Sequence, residues 1–288
     1  MPTPSPSSDE TTSGRAGTHE HPEAGRTSCT RTSGTLPHQG PEVSGVIASA
    51  IRRVLSNWRN PLLPPPTLGH LEAIRLHEIG SVIPLMPSHG RILEIGAGTG
   101  WQARALAQHG FEVEAIDLPT SQYAGSRVWP VRDYDGGSIP FPSSTFDVVF
   151  SSSTLEHIPH LRAFQSEMRR VLRPGGVAIH IVPSAAWRFW TSLTHPLRHL
   201  TFPIVHGEHA SNVASEMLVF RRKYWATLFS QTGWVVQGYQ RGGLFYTGCC
   251  IADRRLSTAR REQLSRWLGS SVHVFVLRAA SPAPSQAD

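Results

Sequence analysis

The chain is poor in cysteine and nearly devoid of lysine. Its 288 residues hold three cysteines, Cys29, Cys249 and Cys250, and the last two are adjacent and badly placed to pair with each other. A disulfide-stapled scaffold is therefore excluded, and a reducing compartment is expected. All but one of the 27 basic residues are Arg, the exception being Lys223, and no four basic residues stand in a row. The formal charge of +6 thus lacks the basic runs of a chain built to grip nucleic acid. No apolar run approaches the roughly 20 residues of a membrane span, and the first residues lack the basic and apolar regions of a secretory leader. A cytoplasmic protein is the expectation.

Apolar residues are also scarce at the start. Residues 1–42 offer only Met1, Ala16, Ala24, Cys29 and Leu36 among Ser, Thr, Pro, Gly and acids, too few to offset the entropy lost on ordering. They read as a disordered tail, as do residues 281–288. Residues 43–87 read as a helical N-terminal extension. Val46, Ile47, Ala50, Ile51, Val54, Leu55 and Trp58 recur at helical spacing, Pro61 to Pro66 breaks the pattern, and a second helix is expected over 70–82.

From 88 to 280 the pattern becomes alternating strand and helix. Short apolar runs fall at 92–95, 113–116, 146–150, 177–182, 234–236 and 272–277, with helices expected at 101–109 and 161–172. Such alternation specifies an α/β domain, a mostly parallel sheet with helices on both faces.

The most informative segment is Arg91-Ile-Leu-Glu-Ile-Gly-Ala-Gly-Thr-Gly100, a buried strand running into three alternating glycines and then a helix. Glycines there let a nucleotide-like ligand lie against main-chain N–H groups. A dinucleotide fingerprint would need its third glycine at 101, which is Trp101. Instead, Glu94 precedes the loop and Asp117 ends the next strand, placed to accept both hydroxyls of a ribose. Asp133-Tyr134, the strand Phe146-Asp-Val-Val-Phe150, Ser151-Ser-Ser-Thr-Leu-Glu-His-Ile158 and Arg170-Val-Leu-Arg-Pro-Gly-Gly176 follow.

Together these motifs resemble the class I S-adenosylmethionine-dependent methyltransferases, in particular the small-molecule branch called methyltransferase type 11, over about residues 91–184. The resemblance implies a Rossmann-like, seven-stranded, mostly parallel sheet with a reversed last strand, the runs at 234 and 272 forming its terminal antiparallel pair. It implies S-adenosylmethionine as cofactor, with Gly96, Gly98 and Gly100 cradling the methionine and ribose portion and Glu94 anchoring the amino-acid end. Asp117 would take the ribose hydroxyls, Leu118 would line the adenine pocket, and Asp133 with Tyr134 would sit at the adenine edge. Ser151 would contact the methionine amino group.

A sulfonium-bound methyl is already activated, so such an enzyme mainly aligns a nucleophile and excludes water. After the fourth strand this chain has Ser-Ser-Ser rather than the Asn/Asp-Pro-Pro-aromatic box of amino-group methylation, which counts against nucleic acid as acceptor. A small-molecule, sugar-containing or lipid-linked acceptor is expected, the last with a peripheral membrane contact, and O-methylation is slightly favoured. Alternatives from other classes are a non-catalytic cofactor-binding partner subunit and a nucleic-acid methyltransferase. His157, beside Glu156, is the candidate acid/base. An irregular insertion from 184 to about 221 is expected to wall the acceptor pocket with Trp187 and Trp190, and Tyr246 to donate to the acceptor. His195 and His199 have helical spacing, but Pro196 lies between them and no cysteine or acid cluster stands nearby in sequence, so no metal is expected. Cys249 and Cys250 read as packing residues. Oligomeric state is left open.

Overall fold

The computed structural model describes residues 68–249 and 256–280, all within the compact unit Ala48–Asp288. The expected tails, the amphipathic helix near 44–58, the proline-rich connector and Cys250 lie outside the described residues.

Seven strands form one sheet. They are β1 (Arg91–Ile95), β2 (Glu112–Asp117), β3 (Arg132–Asp133), β4 (Phe146–Ser152), β5 (Leu172–Pro183), β6 (Trp234–Arg241) and β7 (Val272–Ala279), in the order β3-β2-β1-β4-β5-β7-β6. The pairs from β3 to β5 are parallel, and β7 runs antiparallel to both β5 and β6. Parallel neighbours need crossover helices: α2 (Trp101–Gln108) links β1 to β2, and α3 (Leu161–Val171) links β4 to β5.

Because strand side chains alternate between faces, each central strand feeds two cores. Leu93, Ile95, Val149, Ala178 and Val182 pack with Leu161, Phe164 and Met168 of α3 and with Trp225, Leu228 and Phe229 of α6 (Arg222–Gln231). The alternate residues Ile92, Val148, Phe150, Ile179 and Ile181 pack with Ala105 and Leu106 of α2 and with Ile79 and Val82 of α1 (Leu68–Val82). The second helix expected from the sequence is therefore part of the wall of this domain.

Two expectations need correction. The segment after β5 is not irregular: α4 (Ala185–His199) starts at Ser184, whose Oγ accepts from Trp187 N, and it continues through Pro196. After it come α5 (Val213–Val219), capped by Asn212, and α6; α7 (Thr258–Leu268) precedes β7. The strand expected from the apolar run at 177–182 starts earlier, because β5 already begins at Leu172, with a register shift against β4. Among the described residues, no helix is long and apolar enough to cross a membrane.

Candidate functional site

The parallel strands β1, β2 and β4 end at one sheet edge, where open α/β sheets hold their ligands. A cavity of about 460 Å³ lies there, within the roughly 300–1,000 Å³ usual for cofactor-sized ligands.

Its floor is the loop after β1. Gly96 N and Ala97 N donate to Ile116 O, at 2.8 and 3.1 Å, which ties the loop to β2. Gly96 has φ +72°, and a Cβ there would collide with the Thr154 side chain, so only glycine lets the backbone lie bare along the cavity. Asp117 holds the same loop: its carboxylate accepts from Gly98 N at 2.9 Å and from Leu118 N at 2.8 Å, with lone pairs left over for a ligand. Leu118, Tyr123, Tyr134 and Gly136 continue this side of the wall.

Of the residues singled out in the sequence, Gly96, Gly98, Asp117, Leu118, Tyr134 and His157 line the cavity, whereas Glu94, Gly100, Asp133 and Ser151 lie outside its lining. Each of the latter has another partner or place. Buried Glu94 accepts from Ala103 N–H in the first turn of α2, standing in for the cap that Gly100, at the N-cap position, cannot supply. Desolvation holds its carboxyl up at about 8. Asp133 pairs with Arg127 at 2.7 Å. Ser151 Oγ lies 2.8 Å from His180 Nδ1 beneath the sheet edge, and it is the next residues, Ser152 and Ser153, that reach the wall.

Another part of the lining is made of side chains. Glu156 is fully buried, and neither carboxylate oxygen has a hydrogen-bond partner; desolvation holds its carboxyl up at about 8, which favours the protonated form. His157 Nε2 lies 4.0 Å from Glu156 Oε1, and the His157 and His206 rings are 4.6 Å apart. Desolvation lowers both imidazoles, His206 to about 3, so they are neutral proton acceptors at neutral pH. His206 is delivered by buried Glu216, which accepts from His206 N and Gly207 N at 2.8 and 2.6 Å and forms an ion pair with buried Arg188 of α4. Glu156, His157 and His206 each bring a donor atom within 4.8 Å of the others, so this trio could also hold a cation.

Sequence reasoning placed α1 but missed its part in the site. Leu71 and Arg75 line the cavity, and Arg75 donates to Glu78 at 2.8 Å, to Ser152 Oγ at 3.0 Å and to Ser153 Oγ at 3.1 Å. Buried Glu78 also accepts from Tyr246 Oη at 3.0 Å, so the tyrosine hydroxyl is already engaged. Trp187 lines the cavity, but Trp190 faces away and donates to Leu268 O at 3.0 Å. A lone Arg and Glu at i and i+3 on a helix give no sign in sequence of the strand they will meet.

Residues 93–180 match the family model described as a methyltransferase domain. An uncharacterised methyltransferase of Mycobacterium sp. strain JLS is 35% identical over 97 residues, 32% of this chain and 38% of that protein. A ubiquinone biosynthesis O-methyltransferase of Xylella fastidiosa strain 9a5c is 32% identical over 133 residues, 42% of this chain and 52% of that protein. The chain thus spans between about two-fifths and half of the length of these curated relatives. Among solved structures, the complex between the Haloferax volcanii Trm112 methyltransferase activator and a methyltransferase holds a chain with the same fold, at TM-score 0.52 and 15% identity over 74% of this chain and 93% of that one. The family match covers the stretch from β1 to β5 that builds the glycine loop, Asp117 and the Glu156-His157 pair, and over that stretch the chain is similar to methyltransferase domains.

Proposed function

We propose that this chain methylates a hydroxyl of a small-molecule, sugar-containing or lipid-linked acceptor. The observation that carries the reading is the pairing, across one cavity, of a bare backbone loop with a cluster of neutral proton-accepting imidazoles beside a buried Glu156 that favours the protonated form. S-adenosylmethionine, the family's cofactor, supplies a methyl group activated by its sulfonium. The residues present fit it: the loop at Gly96 is a cradle that a Cβ would fill, and the Asp117 carboxylate retains acceptor capacity beside the loop. Gly96 and Gly98 bind its central portion, Asp117 accepts from its ribose hydroxyls, and Leu118 and Tyr134 flank its base. Glu94 and Gly100 act behind the loop, fixing α2, while Asp133 and Ser151 support the rim through Arg127 and His180.

His157 takes the proton of the acceptor hydroxyl at Nε2, and His206 and Trp187 orient the acceptor and keep water out. The apolar partners around the imidazoles suit an aromatic or isoprenoid-bearing acceptor, and the similarity to a ubiquinone biosynthesis O-methyltransferase supports that class.

Equilibrium binding of S-adenosylhomocysteine tests the cofactor assignment. Wild type should bind, and Asp117→Ala should bind at least roughly tenfold more weakly, the scale of lost hydrogen bonds to a charged group. Undiminished binding by Asp117→Ala would remove the assignment.

A further inference from the structure

A second constellation of ligating side chains lies away from the Glu156 cluster. His195 and His199 stand four residues apart on α4 and so share a face, with ring centroids 4.6 Å apart and planes nearly perpendicular. The chain returns to that face 50 residues later. Gly248 N donates to Thr191 Oγ1 at 2.9 Å, and a Cβ on Gly248 would meet Trp187 at 2.9 Å, so glycine permits the turn to press against the helix. The following residue, Cys249, is thereby buried with its Sγ near Thr191 O, at 3.7 Å. One donor atom each from His195, His199 and Cys249 lies within 4.8 Å of the other two. His195 Nδ1 is itself buried without a hydrogen-bond partner.

We propose that His195, His199 and Cys249 form a binding site for a divalent d-block cation, zinc by the chemistry of the set. Two imidazoles and a thiolate are borderline-soft donors that hard cations such as magnesium and calcium do not prefer, and three protein ligands leave a fourth tetrahedral position for water or another donor. Binding releases the thiol proton, and the resulting thiolate offsets part of the charge of the dication. Arg188 and Arg198 lie close enough to act on the sulfur, and the charge of Arg188 is already balanced by Glu216. The position of the site gives the ion a consequence. Trp187 of α4 and Thr247 and Gly248 of the turn all line the main cavity, so a metal joining α4 to the turn fixes that wall.

The test is titration of the reduced, full-length chain with Co²⁺ and then Zn²⁺, reading the near-ultraviolet thiolate-to-cobalt charge-transfer band and the visible bands of tetrahedral cobalt. One equivalent should produce both signals, and zinc should abolish them. Cys249→Ser should lose the thiolate band, and His195→Ala should weaken zinc binding by at least about tenfold, a scale that even outer-shell groups reach at metal sites. Cys250→Ser and His157→Ala should leave both signals intact, which separates this site from the neighbouring cysteine and from the sulfur-free Glu156, His157 and His206 trio. Zinc should also raise the Tm of wild type but not of Cys249→Ser. Absence of a thiolate band in wild type, or its persistence in Cys249→Ser, would overturn the proposal. Should Cys249→Ser fail to fold, undiminished zinc affinity in His195→Ala overturns it equally.

Discussion

Around the glycine loop the cavity wall is backbone drawn from a short stretch after β1 and β2, whereas around Glu156, His157 and His206 it is side chains gathered from α1, the end of β4, α4 and two later loops. The first kind of wall is held by main-chain hydrogen bonds and one carboxylate, and its chemistry varies little with side-chain identity. The second is held by ion pairs: Arg75 with Glu78 fixes Ser152, Ser153 and Tyr246, and Arg188 with Glu216 fixes the backbone of His206. One wall suits a constant ligand, and the other can diverge with the acceptor while the sheet stays the same.

The largest effect that would break this contrast is expected at Glu216. Glu216→Ala leaves Arg188 buried and unpaired and releases His206 N and Gly207 N, and should cost about 3–5 kcal/mol of stability in denaturant unfolding. A cost below about 1 kcal/mol, within the scatter of ordinary surface substitutions, would show that the ion pair does not organise this wall.

Next comes His157→Ala, which should lower kcat by about 100-fold, the lower range for a general base, with S-adenosylhomocysteine affinity unchanged. The wild-type rate should rise with pH through a value below the ordinary histidine range and then level off, because His157 acts when neutral. A fall in cofactor-product affinity equal to the fall in rate would mean that the two walls are not separable.

Gly96→Ala tests the backbone wall. Its φ of +72° and the collision with Thr154 should cost about 1–3 kcal/mol and also weaken S-adenosylhomocysteine binding. A variant of wild-type stability and affinity would show that the loop tolerates a Cβ after all.

The smallest effect is in the pH dependence of Tm. Glu94 and Glu156 are held at about 8, so between the unfolded value of 4.5 and 8 the folded chain keeps protons that the unfolded chain releases, and stability falls as pH rises through that window. His180 and His206, held at about 3, and His273, at about 4, have the opposite sign: below 6.5 the unfolded chain takes up their protons, and stability falls on acidification. Tm should therefore peak near about pH 6. Glu94→Gln should flatten the alkaline limb and move the peak to higher pH.

Much of the backbone wall was legible because its determinants are close in sequence. A strand, alternating glycines and an acid one helix and one strand later specify the loop and Asp117 with little help from the rest of the chain. Glu94 was legible as an important acid, yet its place behind the loop depends on α2 lacking a cap residue at Gly100. The order of strands at the far edge was expected from the family resemblance alone, since β6 and β7 read simply as two apolar runs.

By itself the sequence determined the alternation of strands and helices, the glycine loop and the resemblance that its motifs carry, because hydrophobic period and backbone permissiveness are local properties. Tertiary structure alone decided that α1 closes the cavity through Arg75, that Glu216 presents His206, and that Cys249 meets His195 and His199 across 50 residues of chain. Those meetings are set by how helices pack on the two faces of the sheet, and spacing along a chain carries no information about a distance that folding has yet to create.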